Sequence, residues 1–182
     1  MRRLILVLPL IIALAAAPVS TVRAQAGTPP ATASQPAANP ADVASMDAII
    51  KALYDVISGP AGQPRKWDRM RSLFVPGARL IPAGGPAPRV LTVDEYINAA
   101  GPGLERNGFF EREISNTVET FGHVTHTFST YESRRKAEDA QPFSRGINSI
   151  QLFNDGTRWS IVTVYWDSER PNNPIPAKYL PK

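Results

Sequence analysis

The chain has no cysteine in its 182 residues. That absence excludes a disulfide scaffold, a thiol nucleophile and a lipid anchor on a cysteine thioether. Any folded part must stand on its own core. Histidine is nearly as scarce, with only His123 and His126 present. They are spaced H-x-x-H in or beside a strand, where positions i and i+3 point to opposite faces. Without a third histidine or a cysteine there is no ligand set for zinc. The chain also lacks a G-x-S-x-G elbow, a P-loop and a G-x-G-x-x-G turn. Serine-hydrolase chemistry and nucleotide binding therefore have no support, and neither a cofactor nor a metal is expected.

The first 26 residues are the most informative stretch that is present. Arg2 and Arg3 precede an almost unbroken apolar run from Leu4 to Ala17, and small residues follow, with A-x-A-type sites ending at Ala24 and Ala26. This is the layout of a secretory signal peptide, with an apolar core too short to span a bilayer well. A periplasmic or secreted protein is expected, in contact with the membrane only before cleavage. The formal net charge of +4 includes Arg2, Arg3 and Arg23, so their loss leaves +1. The basic cluster Arg134-Arg135-Lys136 runs directly into Glu138 and Asp139. It reads as a solvated hairpin tip, and no nucleic-acid partner is expected.

Residues 27–41 are Ala, Pro, Thr, Ser, Gln and Gly with hardly a large apolar side chain, the composition of a disordered linker. A single domain is expected over 42–170, with a Pro-rich tail over 171–182. Met46, Ile49, Ile50, Leu53, Tyr54 and Ile57 recur with helical period, so an amphipathic helix is expected. Asn39-Pro40 or Ser45 can start it, and Gly59-Pro60 ends it. A short second helix is expected around Lys66 to Phe74, and a short strand over Ala78 to Ile81. Thr92 and Glu95 form a T-x-x-E capping box for a third helix, with Leu91 and Tyr96 as its hydrophobic staple. Gly101-Pro102 is expected to end or break that helix.

From Phe109 the pattern is strand-like. Four long strands are expected: Glu111 to Phe121, Val124 to Arg135, Arg145 to Phe153 and Thr157 to Asp167. Gly122-His123 turns the first pair and Asp155-Gly156 the last. Helices first and an antiparallel meander afterwards imply α+β, with the helices on one face of a curved sheet.

This order resembles the nuclear transport factor 2-like superfamily, including its SnoaL-like members. The last hairpin, Asp155-Gly156-Thr157-Arg158-Trp159-Ser160-Ile161-Val162, is similar to the family's D-G-x-W-x-I pattern. The resemblance covers about Asp42 to Asp167. It implies a cone-shaped, curved antiparallel sheet, made of a four-strand meander plus short strands. Three N-terminal helices pack on its concave face, and Trp159 and Ile161 point inward. Superfamily members include isomerases, cyclases, dehydratases and non-catalytic modules, so the fold alone does not fix a function. The acid–base residues of the ketosteroid isomerases find no matching positions here.

Candidate site residues follow from the expected register. A two-residue turn at Gly122-His123 sets Glu119 opposite His126, a pair able to transfer protons if the protein is an enzyme of isomerase, cyclase or dehydratase type. A tight turn at Asp155-Gly156 sets Asn148 opposite Thr163 and Gly146 opposite Tyr165. Asn148, Thr163, Tyr165, Trp159 and Phe128 then line a pocket. The same residues also describe a plain core with hydrogen-bonded polar groups. Placing Thr130 opposite Asn148 brings both groups inside the cone. A slip by one residue sends His126 out and brings Tyr131, Thr125 and Asn116 in. Ile147, Val162, Val164 and Trp166 are expected on the opposite, convex face, which calls for a second cover. Hence a homodimer is expected through that face, with Val164 and Trp166 at or near the contact. The expected function is binding of a small, largely apolar molecule in the cone. The alternative is an interaction or structural module of the cell envelope, whose cone would be filled by Phe74, Phe109, Phe128 and Trp159.

Overall fold

The computed structural model describes residues 35–182. The expected leader, and the expected linker up to residue 34, lie outside the described residues. From Gln35 the chain is already docked, with the Gln35 side-chain amide donating to Arg71 O at 2.8 Å. Both expected start signals are used. Asn39 caps a short helix α1 (Pro40–Val43), and Ser45 caps α2 (Met46–Ile57) through Ala48 N–H at 3.1 Å. Asp42 in α1 is buried and forms a two-pronged pair with Arg69 at 2.7 and 2.8 Å. Arg69 belongs to α3 (Trp67–Leu73). The apolar stripe of α2 is inside as expected.

Helix α4 (Val93–Asn107) opens on the expected capping box. It does not end at Gly101-Pro102 but runs on through Pro102. Gly101 lies against Trp67, where an added Cβ would stand 3.0 Å from Cζ2, so glycine permits close helix–helix approach. The exposed Pro102 gives up one backbone hydrogen bond, and the packing of Ile97 and Leu104 on either side keeps the helix continuous.

Among the described residues, five strands form one open, mixed sheet: β1 (Phe74–Pro82), β2 (Phe110–Phe121), β3 (Val124–Arg134), β4 (Ser144–Asn154) and β5 (Trp159–Ser168), in the order β1-β5-β4-β3-β2. β2 to β5 are the expected antiparallel meander. β1 is longer than expected and pairs parallel to β5, so the sheet is not purely antiparallel. The helices cover one face, called inner below.

Register decides what that face carries. The β2–β3 hairpin turns at Gly122 (φ 57°), with Phe121 opposite Val124 and Glu119 opposite His126, as expected. The join to β4 differs by one residue: Ser129, not Thr130, lies opposite Asn148. The last hairpin also differs. Its loop spans Asp155–Arg158, because Asp155 Oδ1 accepts from Thr157 N–H and Arg158 N–H at 2.7 and 2.8 Å. Leu152 therefore faces Ile161, not Trp159. A bulge at Val162 then shifts the pairing again, placing Asn148 opposite Trp166 and Ser149 opposite Tyr165. Val164, 5% exposed, joins Ile150, Leu152 and Ile161 in the core. Val164 and Trp166 are thus not on the convex face.

The tail is also engaged. A 3-10 turn, Ala177–Tyr179, sits on the outer face. Thr130 Oγ1 donates to Tyr179 O at 2.7 Å, and the Tyr179 and Phe128 rings lie 4.9 Å apart.

Candidate functional site

Helices α2 and α4 close over the inner face of β2–β5 and leave a cavity of about 290 Å³. Leu53, Ile57, Leu104 and Val164 contribute to its apolar wall, and half-exposed Phe143 stands at its rim. Arg65 helps to hold the two helices together. Its buried guanidinium donates to Ile57 O at the end of α2, to Gly59 O and Gln63 O beyond it, and to Leu104 O of α4, at 2.5–3.0 Å. Burial lowers its pKa, with Glu105 opposing.

Polar groups converge on one side of the cavity. Glu111 of β2 receives Ser133 Oγ–H at 2.7 Å and lies within hydrogen-bond reach of the Asn148 amide. Glu111 keeps part of its surface exposed, yet the protein atoms around its carboxyl group make desolvation dominant. Its pKa is pushed up to about 7, against the opposing pull of those hydrogen bonds. Asn148 Nδ2 donates to Tyr54 OH at 3.0 Å, and Tyr54 OH and Ser129 Oγ are 2.7 Å apart. Ser129 donates onward to Glu113. A hydroxyl has one proton, so Ser129 must accept from Tyr54, which leaves the phenol oxygen free to accept from Asn148. The chain therefore has one direction and fixes the amide with its N–H groups toward Tyr54. Burial raises the Tyr54 and Tyr96 pKa values, and pushes Tyr131 up to about 12.

The residues expected at the site are divided by this geometry. Asn148 lines the cavity. Trp159 is half-buried against the core at the far end of the inner face and does not line the cavity. Thr163 and Tyr165 point outward because of the Val162 bulge, and Tyr165 is 45% exposed. Phe128 and His126 are on the outer face, where His126 Nε2 bonds Ser149 Oγ at 2.9 Å. Glu119 lies opposite His126, exposed, and the two make no hydrogen bond among the described residues. The one-residue slip accounts for this placement: Thr125 and Tyr131 are buried inside, as that register implied. Asn116 is exposed, with its amide on Glu113.

Sequence reasoning missed Glu111, Tyr54, Tyr96 and Ser133 as a group. Alternation would have placed Glu111, Glu113 and Glu119 on one face. A bulge at Ile114 separates them, with Glu113 opposite Tyr131 and Ser115 opposite Thr130. Glu111 and Glu113 go in, and Glu119 goes out. Of the aromatic residues expected to fill the cone, Phe74 is core, Phe109 lines the cavity without filling it, and Phe128 is outside.

No protein-family model matches the sequence, and no curated protein is similar to it in sequence. Similar solved structures do exist. One is a nuclear transport factor 2-like protein of unknown function from Silicibacter pomeroyi, with TM-score 0.50 and 12% identity, covering 69% of this chain and 94% of that one. Another is such a protein from Methylobacillus flagellatus, with TM-score 0.46 and 14% identity, covering 69% and 95%. A third, from Nostoc punctiforme, is described as having a cystatin-like fold, with TM-score 0.49 and 11% identity, covering 66% and 86%. The first of these, with the element order above, shows that the domain has the α+β nuclear transport factor 2-like fold.

Proposed function

We propose that this domain binds a small, largely apolar molecule in its inner cavity, with Glu111 and Asn148 as polar anchors. The observation that carries this reading is the cavity itself: about 290 Å³ between α2, α4 and the sheet, apolar on most sides, with hydrogen-bonding groups converging on one carboxyl. A carboxyl that titrates near neutrality in such a place can also give or take a proton. Binding is tested by ligand-observed NMR with a fragment library, on wild type and on Ala100→Trp, which fills the cavity from α4. Hits are expected in wild type and absent in the variant. Hits that survive Ala100→Trp, or none in wild type, would overturn the reading.

The first 26 residues support export of the protein to the periplasm or medium. The outer face supports contact with a second copy. Phe121, Val124 and Phe153 are consecutive cross-strand neighbours there, and Phe121 is 88% exposed.

A further inference from the structure

The inner cavity has one acidic side chain, Glu111, and among the described residues no arginine, lysine or histidine lines it. Its carboxyl accepts a hydrogen bond from a neutral group, Ser133, and the neutral Asn148 amide lies within reach. Nearby cations are engaged elsewhere. Arg65 serves backbone carbonyls, and Arg112 and Arg134 pair with Glu132 on the outer face. Arg135 stacks on the Phe143 ring, 4.1 Å from its centroid. An ionised carboxylate in such surroundings is costly until a proton or a cation neutralises it.

The wall favours the cation. Tyr54, Tyr96, Phe109, Tyr131 and Trp166 line the cavity, while Phe143 at its rim already carries Arg135 on one face. Aromatic faces attract ammonium groups through the ring quadrupole, whereas an anion would meet both those faces and Glu111. Size limits the rest: about 290 Å³ is roughly ten water volumes, space for on the order of ten to fifteen non-hydrogen atoms.

We infer that the ligand is a compact organic ammonium whose N⁺–H donates to Glu111 and whose apolar body lies against the aromatic wall. This rests on the reading of the cavity as a ligand site. It implies that ammonium binding displaces the Glu111 proton. The titratable groups facing Glu111 are Tyr54 from α2, Tyr96 from α4 and Tyr131 from β3, with Glu113 farther along its own strand. The three phenols stay neutral while Glu111 titrates, and Glu113 is held behind Ser129 and Tyr54. β4 and β5 supply Asn148, Val164 and Trp166, none of which titrates. Affinity for an amine should therefore rise with pH through about 7.

Calorimetric titration of the whole protein with benzylamine, benzyl alcohol and benzoate at pH 6 and 8 tests this. Benzylamine is expected to bind best at pH 8 and about tenfold more weakly at pH 6. Benzoate should bind least. Glu111→Gln should cost benzylamine about 10- to 100-fold, flatten its pH profile and leave benzyl alcohol within about threefold. If benzyl alcohol matches benzylamine in wild type with no pH dependence, the ligand site stands and the ammonium assignment falls. If none of the three binds, both fall. The ranking in wild type needs no variant to fold.

Discussion

Glu111 is the residue on which the site turns, and its titration is also a statement about stability. Its carboxyl titrates near 7 in the fold against an ordinary value of 4.5, chiefly because burial disfavours the charge. Between those values the folded state holds a proton that the unfolded chain has released. Stability from this group is therefore present below about pH 4.5 and lost as pH rises toward 7. Glu111→Gln keeps the shape and removes the titration. In urea denaturation the variant is expected to gain on wild type between pH 5 and pH 8, by as much as about 2.5 kcal/mol. An equal difference at both pH values would show that the carboxylate is well solvated. Asn148 was legible as an inward polar residue because it alternates with Ile150 and Leu152. Its partner Tyr54 was legible only as one member of the stripe of α2. A phenol on a buried stripe must find a hydrogen-bond partner, but nothing in the sequence says which.

At the scale of elements, caps and stripes were readable and irregularities were not. Ser45, the Thr92–Glu95 box and Gly122 act locally, so sequence neighbours suffice to place them. The bulges at Ile114 and Val162 serve burial across the sheet: they turn Glu111 and Val164 inward and leave Glu119 and Tyr165 outside. Alternation read without them inverts the faces beyond each bulge. Arg65 joins elements in a way that one side-chain type can satisfy. A planar fork reaches several carbonyls at once, whereas a lysine ammonium on a single stem cannot. Arg65→Lys is expected to destabilise the domain by about 2–4 kcal/mol, read as a lower urea midpoint at unchanged slope. A change below about 0.5 kcal/mol would mean that water replaces those bonds freely.

For the whole molecule, the outer face is shared between the tail and open surface. Tyr179 and Ile175 take the end near Phe128 and Glu169. Phe121, Val124 and Phe153 remain exposed at the hairpin end. A two-fold contact would use that strip, since Val164 is in the core and Trp166 packs against it from the inner face. Sedimentation is expected to show a wild-type dimer at micromolar concentration and a monomeric Phe121→Glu. A wild-type monomer at high micromolar concentration would remove the self-contact. Phe121 lies far along its strand from the cavity-lining Glu111, so the variant should keep its ligand hits.

Local chemistry was enough to determine the element order, the helix caps, the β2–β3 turn and the α+β class, since each depends on residues a few positions apart. A resemblance resting on one hairpin pattern and that order pointed to the right fold. Which residues share the cavity depended on three joins that span many residues: the Lys136 to Phe143 loop and two bulges. A one-residue shift at any of them exchanges the two faces, because strand side chains alternate with period two. Only burial summed over the whole sheet against α2 and α4 selects among those shifts. That selection placed Glu111 inside and His126 outside.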